Sequence, residues 1–475
     1  MLCFKLSYCF KACEGSSRTK PYQFVTKYHI QTPGLTVMNN KKTQSLVIAK
    51  SLAYTTLFIS SVITKTYAAG TPQLGSIYNP AEQFETAMTL IDGKYTSPDF
   101  ETGLKWLKLS AAQQYPDALN QLGLYYEWGV DNLEKDYLKA YDLYLQAAKR
   151  GNRNAQFNLS ALLMRKNTSL HNTEQGIYWL EQAAENEDSD AQYSLAQYLI
   201  KSKKHDADTH HKIVYWLKRA ADNGNKTSQY TLAVSYLKGI YTELNLEKAY
   251  YWFHEAAKKG DAASQFNVAL MLDQGEGVKA DADKAIEWYK KAAEQNEHGA
   301  QFNLGAKYLF GIGIEQDIEK GISLIERAAN QGNPAAQTLL GNLLKQGEHI
   351  KKDYRRTYNL YLAAAENGYA EAQYQLALLF ATGQGVIKSN AQSVHWIRQA
   401  ALSNHPMAQY GLGAYLANGV GIEKNLPEAA YWLSMAAAQG QQHAIESRNS
   451  VLEQLSTEQL STLRLRISQS LPTGL

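Results

Sequence analysis

The chain has 475 residues, with 48 basic against 45 acidic side chains, 11% aromatic residues and three cysteines. Residues 1–69 hold nine of the basic residues and a single acid, Glu14, which leaves 39 basic and 44 acidic residues beyond them; so mildly acidic a body excludes a general affinity for nucleic-acid phosphate. Cys3, Cys9 and Cys13 all precede residue 38, so the remainder draws no stability from disulfides, and the three domains that the length would suggest give way to a sustained internal period.

Residues 1–37 are expected to lie upstream of the true start. Met38 stands directly before Asn39-Asn40-Lys41-Lys42, which is followed by Leu46-Val47-Ile48-Ala49, the uncharged run 51–64 and Thr66-Tyr67-Ala68-Ala69-Gly70. A charged region, an apolar region and a small-residue site in that order read as a secretory signal over residues 38–69, cleaved after Ala68 or Ala69. The expected location is the periplasm or the exterior, with the membrane met only through this segment. An uncleaved N-terminal anchor is the alternative, but a fourteen-residue helix spans about 21 Å, short of a hydrocarbon core of about 30 Å. No cysteine follows the cleavage site, so no lipid-attachment signal is present.

From residue 80 to about 445 one unit recurs. Asn79-Pro80 is suited to start the first helix and Gly93 to close it. Thereafter small residues mark the end of every second helix, at Ser110, Ala147, Ala183, Ala220, Ala256, Ala292, Ala328, Ala364, Ala400 and Ala436, spaced by 36 or 37 residues. Four residues before these marks stand seven of the eight tryptophans, Trp106, Trp179, Trp216, Trp252, Trp288, Trp396 and Trp432, read as core packing. First helices have their own register: Ala118, Ala155, Ala191, Ser228, Ser264, Ala300, Ala336, Ala372 and Ala408, each followed four residues later by Leu or Val. In the unit 264–299, Ser264, Val268, Ala269 and Leu272 share one helical face. Gly275-Glu276-Gly277 breaks that helix, and Asp281 or Asp283 caps a second one bearing Ala285, Trp288, Tyr289, Ala292 and Ala293. Two turns, within 165–175 and 201–212, lack the glycine pair and are expected to be irregular polar surface loops. Beyond residue 445, Ala444 to Leu455 and a helix opened by Ser456 and Gln459 as a capping box form a terminal cap and tail over 446–475. Ten helix pairs and a terminal pair, none able to bury its stripe alone, require an all-α solenoid.

The segment Ala300-Gln301-Phe302-Asn303-Leu304-Gly305, the Gly-x-Gly-[Val/Ile] turns and the Ala285, Trp288, Ala292, Ala293 spacing resemble the Sel1-like repeat, a relative of the tetratricopeptide repeat. The resemblance covers roughly residues 80–445 and implies a right-handed α/α superhelix. It also implies a non-enzymatic adaptor that binds another protein or an extended peptide in bacterial envelope assembly, signalling or host contact. A branch of that family associated with β-lactam hydrolysis carries paired cysteines in each repeat; this array has none, so that activity is not carried over.

Motifs for chemistry are weak. The glycine pairs 275/277, 311/313, 383/385 and 419/421 follow no strand and precede no Gly-Lys-Ser/Thr, so they are turns and not phosphate cradles. His205, Asp206, Asp208, His210 and His211 form the one dense group of metal-ligand types, read as a solvated lysine-rich loop. His254 and His395 neighbour tryptophans and are read as surface or groove residues. No nucleophile elbow, His-Glu-x-x-His or cysteine nucleophile occurs beyond residue 70; no catalytic residue, metal or cofactor is expected. Binding candidates are the aromatics two residues after the first-helix mark: Phe157, Tyr193, Tyr230, Phe266, Phe302, Tyr374 and Tyr410, interrupted by Asn120 and Thr338. They project about 200° from the mark, away from the partner helix. Two readings stay open: an aromatic ladder along a concave groove, or packing between successive repeats. The first partner class is a protein or extended peptide; the second is an envelope glycan, peptidoglycan or exopolysaccharide, gripped by a Tyr-rich groove; a hydrolase with an unrecognised site comes last.

Overall fold

Two helices that cannot bury their stripes alone solve the problem by stacking, and the computed structural model shows how. It describes residues 79–93, 97–131, 133–202 and 206–470; the upstream stretch, the signal segment with its cleavage site, and His205 lie outside the described residues. The first helices are α1 (Pro80–Asp92), α3 (Pro116–Trp128), α5 (Arg153–Leu163), α7 (Ser189–Lys201), α9 (Lys226–Lys238), α11 (Ala262–Gln274), α13 (His298–Phe310), α15 (Pro334–Gln346), α17 (Ala370–Thr382), α19 (Pro406–Asn418) and α21 (Gln442–Leu452). Their partners are α2 (Phe100–Ala112), α4 (Tyr137–Lys149), α6 (Thr173–Glu185), α8 (Ala207–Asp222), α10 (Leu246–Lys258), α12 (Ala282–Glu294), α14 (Ile318–Asn330), α16 (Tyr354–Glu366), α18 (Asn390–Leu402), α20 (Leu426–Ala438) and α22 (Thr457–Ser470). Among the described residues there is no strand, and no helix is long and apolar enough to cross a membrane.

Local chemistry sets the ends. Asn79 accepts from the N–H groups of Ala81 and Glu82 while Glu82 reaches back, a full capping box, and Gly93 closes α1 in the left-handed region. Asp281 caps α12 by accepting from the Lys284 N–H at 3.0 Å, and Asp283 lies in the first turn. Ser456 and Gln459 exchange bonds of 2.9 and 3.2 Å before α22. The second glycine of each turn is a seat for the neighbouring pair. Gly277 has φ +69°, and a Cβ on it would stand 2.3 Å from the Leu246 carbonyl oxygen at the start of α10.

Each helix packs on its partner and on the next pair, so the core is a continuous seam. Trp106, Trp216, Trp252 and Trp432 are buried in it, and the position after the Trp or Leu at this place is the deepest. Tyr144, Phe253, Tyr289, Ile325 and Tyr361 are fully buried, whereas Trp288 is only half-buried. First helices of successive pairs approach directly, as α3 does α5 and α15 does α17; at comparable closeness second helices do so only at the terminal α20 and α22. The shorter spacing puts the first helices on the inside of the stack. Exposure agrees: in α11 only Gln274 is exposed, while α12 shows Ala282, Asp283, Lys284, Glu287, Lys290, Lys291 and Glu294 to solvent.

The two irregular turns depart from expectation. Arg165 turns inward from the first of them, one-eighth exposed, to pair with the buried carboxylate of Glu127. Much of the second is helix, because Asp206 accepts from the Thr209 N–H and hydroxyl and starts α8 at Ala207.

Candidate binding face

Positions three, six and ten residues after the first-helix mark lie about 240° to 300° around the helix, opposite the packed side. In α13 these are Asn303 and Ala306, half-buried, and Phe310, 41% exposed. In α3 the last such position is Trp128, 37% exposed. Repeated along the stack, they make one inner face of short polar and small side chains, interrupted by aliphatic residues such as Leu124, Val234, Leu339 and Leu378, the basic Arg165, Lys201 and Lys238, and the aromatics Trp128 and Phe310. The outer face belongs to the charged stripe of the second helices.

The seven aromatics named from the sequence are all half-buried. Phe157, Tyr193, Tyr230 and Phe266 pack on one core cluster, Phe302 on a second, and Tyr374 and Tyr410 on a third. Their rings do not simply point away from the partner helix. Tyr230 meets Phe253 with ring centroids 5.7 Å apart, and Phe266 lies 6.2 Å from Tyr289, each on its own second helix. The direction of the Cα–Cβ bond does not settle where a long side chain ends, since helical rotamers lean toward the preceding turn. Phe266 also lies so close to Gly299 of α13 that a Cβ there would stand 2.8 Å from its ring. Tyr374 stacks on His405, the cap of α19, at 4.8 Å. Phe266 therefore wedges between its own pair and the next, and all seven rings keep part of one edge open. Burial raises the phenol pKa of Tyr193, Tyr230 and Tyr374.

Two polar systems escaped the sequence reading. The first is a glutamine ladder one residue after eight of the nine first-helix marks, Ala118 being followed by Leu119. Gln156, Gln192, Gln229, Gln265, Gln301, Gln337, Gln373 and Gln409 each donate to a carbonyl near the end of the preceding second helix, at 2.9 to 3.4 Å. Several also accept from the residue that closes their own second helix, as Gln265 does from Gln295 and Gln301 from Gln331, both at 2.7 Å. The ladder staples one layer to the next through helix ends whose carbonyls otherwise accept a turn N–H three residues on. Its signal was the same residue type at the same place in eight units. The second system is a set of buried tyrosines. Tyr144 donates to Glu127 at 2.7 Å, Tyr289 lies between Asp273 and Asn303, and Tyr361 donates to Asn342. Burial drives all three phenols well above their ordinary pKa and raises that of Glu127 against the pull of Tyr144 and Arg165. A tyrosine where other units carry Leu, Ile or Phe was the available signal.

The outer face carries its own aromatics. Tyr178, Tyr215 and Tyr251, at one position of α6, α8 and α10, are 53%, 50% and 55% exposed, each edge-on to the following tryptophan. The histidine-rich segment does not assemble a site: Asp208 pairs with Lys212 at 2.8 Å, His210 meets the Tyr241 ring at 5.2 Å, and among the described residues no three His, Cys, Asp or Glu side chains converge. His254 lies between Tyr250 and Trp288, and burial lowers its pKa; His395 meets Trp396 at 5.0 Å.

The Sel1 repeat family model matches ten consecutive times, from residues 83–115 through 406–441, each match spanning about one helix pair. The structure is similar to that of a protective antigen of uropathogenic Escherichia coli strains displaying an SLR fold. The two chains are 26% identical, with a TM-score of 0.59, covering 82% of this chain and 91% of that one. It is also similar to a Sel1 repeat protein from Oxalobacter formigenes, 27% identical with a TM-score of 0.53, over 66% of this chain and 90% of the other. A 125-residue stretch is 33% identical to an uncharacterized protein of Neisseria meningitidis serogroup B, spanning 26% of this chain and a quarter of that relative's length.

Proposed function

The chain belongs to the Sel1 repeat family, a protein-interaction scaffold, and from that premise we propose that it is an exported adaptor whose inner face holds an extended segment of a partner protein in the bacterial envelope or at a host surface. The observation that carries this reading is the inner face of the first helices, mostly polar and small, with aliphatic and basic side chains between and exposed aromatics at Trp128 and Phe310. A segment laid along it would meet a similar surface at every layer. The N-terminal order of basic, apolar and small residues supports export, and the likeness to an antigen of a pathogen is in keeping with exposure to a host.

A photo-crosslinking residue at Asn303 or Phe310 should capture a defined protein from envelope extract, while the same residue at Glu287 on the outer face should not. Equal capture from both faces, or capture of purified glycan and no protein, would sink the adaptor. Glycan binding is the second reading, and the exposed tyrosines Tyr178, Tyr215 and Tyr251 favour it, since ring faces fixed at one repeat position suit a polymer of sugars. N-terminal sequencing of the mature protein tests export; an intact residue 1 would remove it.

A further inference from the structure

Three first helices end on a charged side chain nine residues after the mark, where other units carry Met164, Ile200, Leu237 or Leu309: Glu127 in α3, Asp273 in α11 and Lys345 in α15. Each lies in a pair whose second helix contributes a buried tyrosine, Tyr144, Tyr289 or Tyr361. In two of the three the next first helix, or the turn after it, supplies the opposite charge. Arg165 pairs with Glu127, the two side chains 13% and 5% exposed, and Lys307 pairs with Asp273 at 2.8 Å. Such neutralisation is what a buried charge needs.

Lys345 lacks it. The corresponding residues of α17 are Leu379 and Thr382, and the group that reaches the Lys345 Nζ is the neutral side-chain oxygen of Gln375, at 2.8 Å. Gln375 in turn donates to Glu371 at 2.8 Å, and Glu371 is held by His405 at 2.9 Å. The Tyr361 ring lies 5.8 Å from the Nζ. Among the described residues no carboxylate comes within ion-pair distance of Lys345, and an ammonium has three donors, of which Gln375 takes one. Burial holds the Lys345 pKa below its ordinary value, with Glu371 pulling the other way. A Met or Leu in its place would spare the chain this cost, as it does in neighbouring units.

Building on the inner-face reading above, we propose that Lys345, oriented by Gln375, is a subsite for a carboxylate of the bound polypeptide, either an acidic side chain or the chain's own C-terminus. The ligand supplies the counter-charge that Arg165 and Lys307 supply in the other two clusters. Tyr374, stacked on His405 one layer away, borders the same stretch of the inner face.

The test uses a phage-displayed library of random twelve-residue peptides selected on the full-length chain. Selected peptides should share an acidic residue or depend on a free C-terminus. Glu→Gln substitution and C-terminal amidation in synthetic copies distinguish the two sources. Lys345→Met should weaken these peptides at least tenfold, and Lys345→Arg by no more than about threefold. A double-mutant cycle between Lys345→Met and the neutralised peptide should show that the two losses are not additive. Met164 holds the same position directly after α5, and circular dichroism checks that the variant folds. Peptides that bind Lys345→Met as tightly as the parent chain overturn the subsite while leaving the inner-face reading intact. Failure to select any peptide overturns both. Preference for an oligouronate over every selected peptide overturns the polypeptide assignment.

Discussion

Pairs α11/α12 to α19/α20 and pairs α5/α6 to α9/α10 share one architecture but reach it differently. In the first region the turns of α11/α12, α13/α14, α17/α18 and α19/α20 carry two left-handed glycines, as in Gly275 and Gly277 at φ +72° and +69°. In the second region neither of the first two turns has a glycine pair, and the third, Gly239-Ile240-Tyr241, places a tyrosine at φ +67° where its neighbour has Gly277. The backbone conformation is kept and the residue is not. A tyrosine held there costs on the order of 1–3 kcal/mol, and its ring contacts His210 of α8. The same region exposes Ile240, Leu244 and the three outer tyrosines. The fold therefore requires the turn's shape, whereas glycine is only its least strained occupant, and the second region departs from that occupant while exposing apolar side chains.

Exchanging residues between the two regions breaks the comparison most sharply. Gly277→Ala adds a Cβ against the Leu246 carbonyl oxygen at a positive φ, and about 3 kcal/mol should be lost in urea unfolding. Tyr241→Gly should stay within about 1 kcal/mol of the parent, because relief of strain offsets the lost ring contact. Equal effects would show that the two turns are equivalent after all. The glutamine ladder runs through both regions, so Gln265→Ala and Gln192→Ala should each cost about 0.5–1.5 kcal/mol by removing one bond to the Ala257 and Ala184 carbonyls, which keep the turn N–H groups of Gly260 and Glu187.

The third prediction concerns pH. The regular region buries Tyr289 and Tyr361, whereas the irregular one buries Leu180, Leu217 and Phe253 at the same position. The tyrosines' folded pKa values are raised, so their contribution is complete below about pH 10 and is lost as pH rises beyond it, at about 1.4 kcal/mol per pH unit for each phenol. Hydrogen exchange above pH 10 should therefore open residues 262–369 before residues 153–261, and Tyr361→Phe should abolish part of that dependence. The smallest expected effect is a gain. The side-chain oxygen of Gln373 has no partner, while Gln409 and Gln301 receive a glutamine amide from the end of their own second helix. Ser403→Gln should supply that donor and add about 0.5–1 kcal/mol, read from the urea midpoint.

Much of the fold is legible without coordinates. Asn79, Asp281 and Ser456 announce helix starts by side chains that bond within three residues, and the marks from Ser110 to Ala436 announce pairing by their spacing. The binding face is less legible. The seven aromatics are visible as a ladder, but a position on a helical wheel does not show Phe266 wedged against Gly299 or Tyr374 on His405. Arg165 looked like part of a polar loop because its partner, Glu127, lies 38 residues away. The glutamines are visible as one residue type at a fixed place, but the carbonyls they bond are not.

What the chain of residues determined by itself was the period, the two-helix unit, the caps and the stripes that demand a stack, because each depends on interactions within a few residues or on a burden repeated in every unit. Tertiary structure alone decided which helices face inward, which polar groups bridge the layers, and which buried charge meets its opposite. Those outcomes include residues 30 to 38 positions apart meeting across a layer boundary, and a one-dimensional pattern records that such meetings recur without recording which atoms meet.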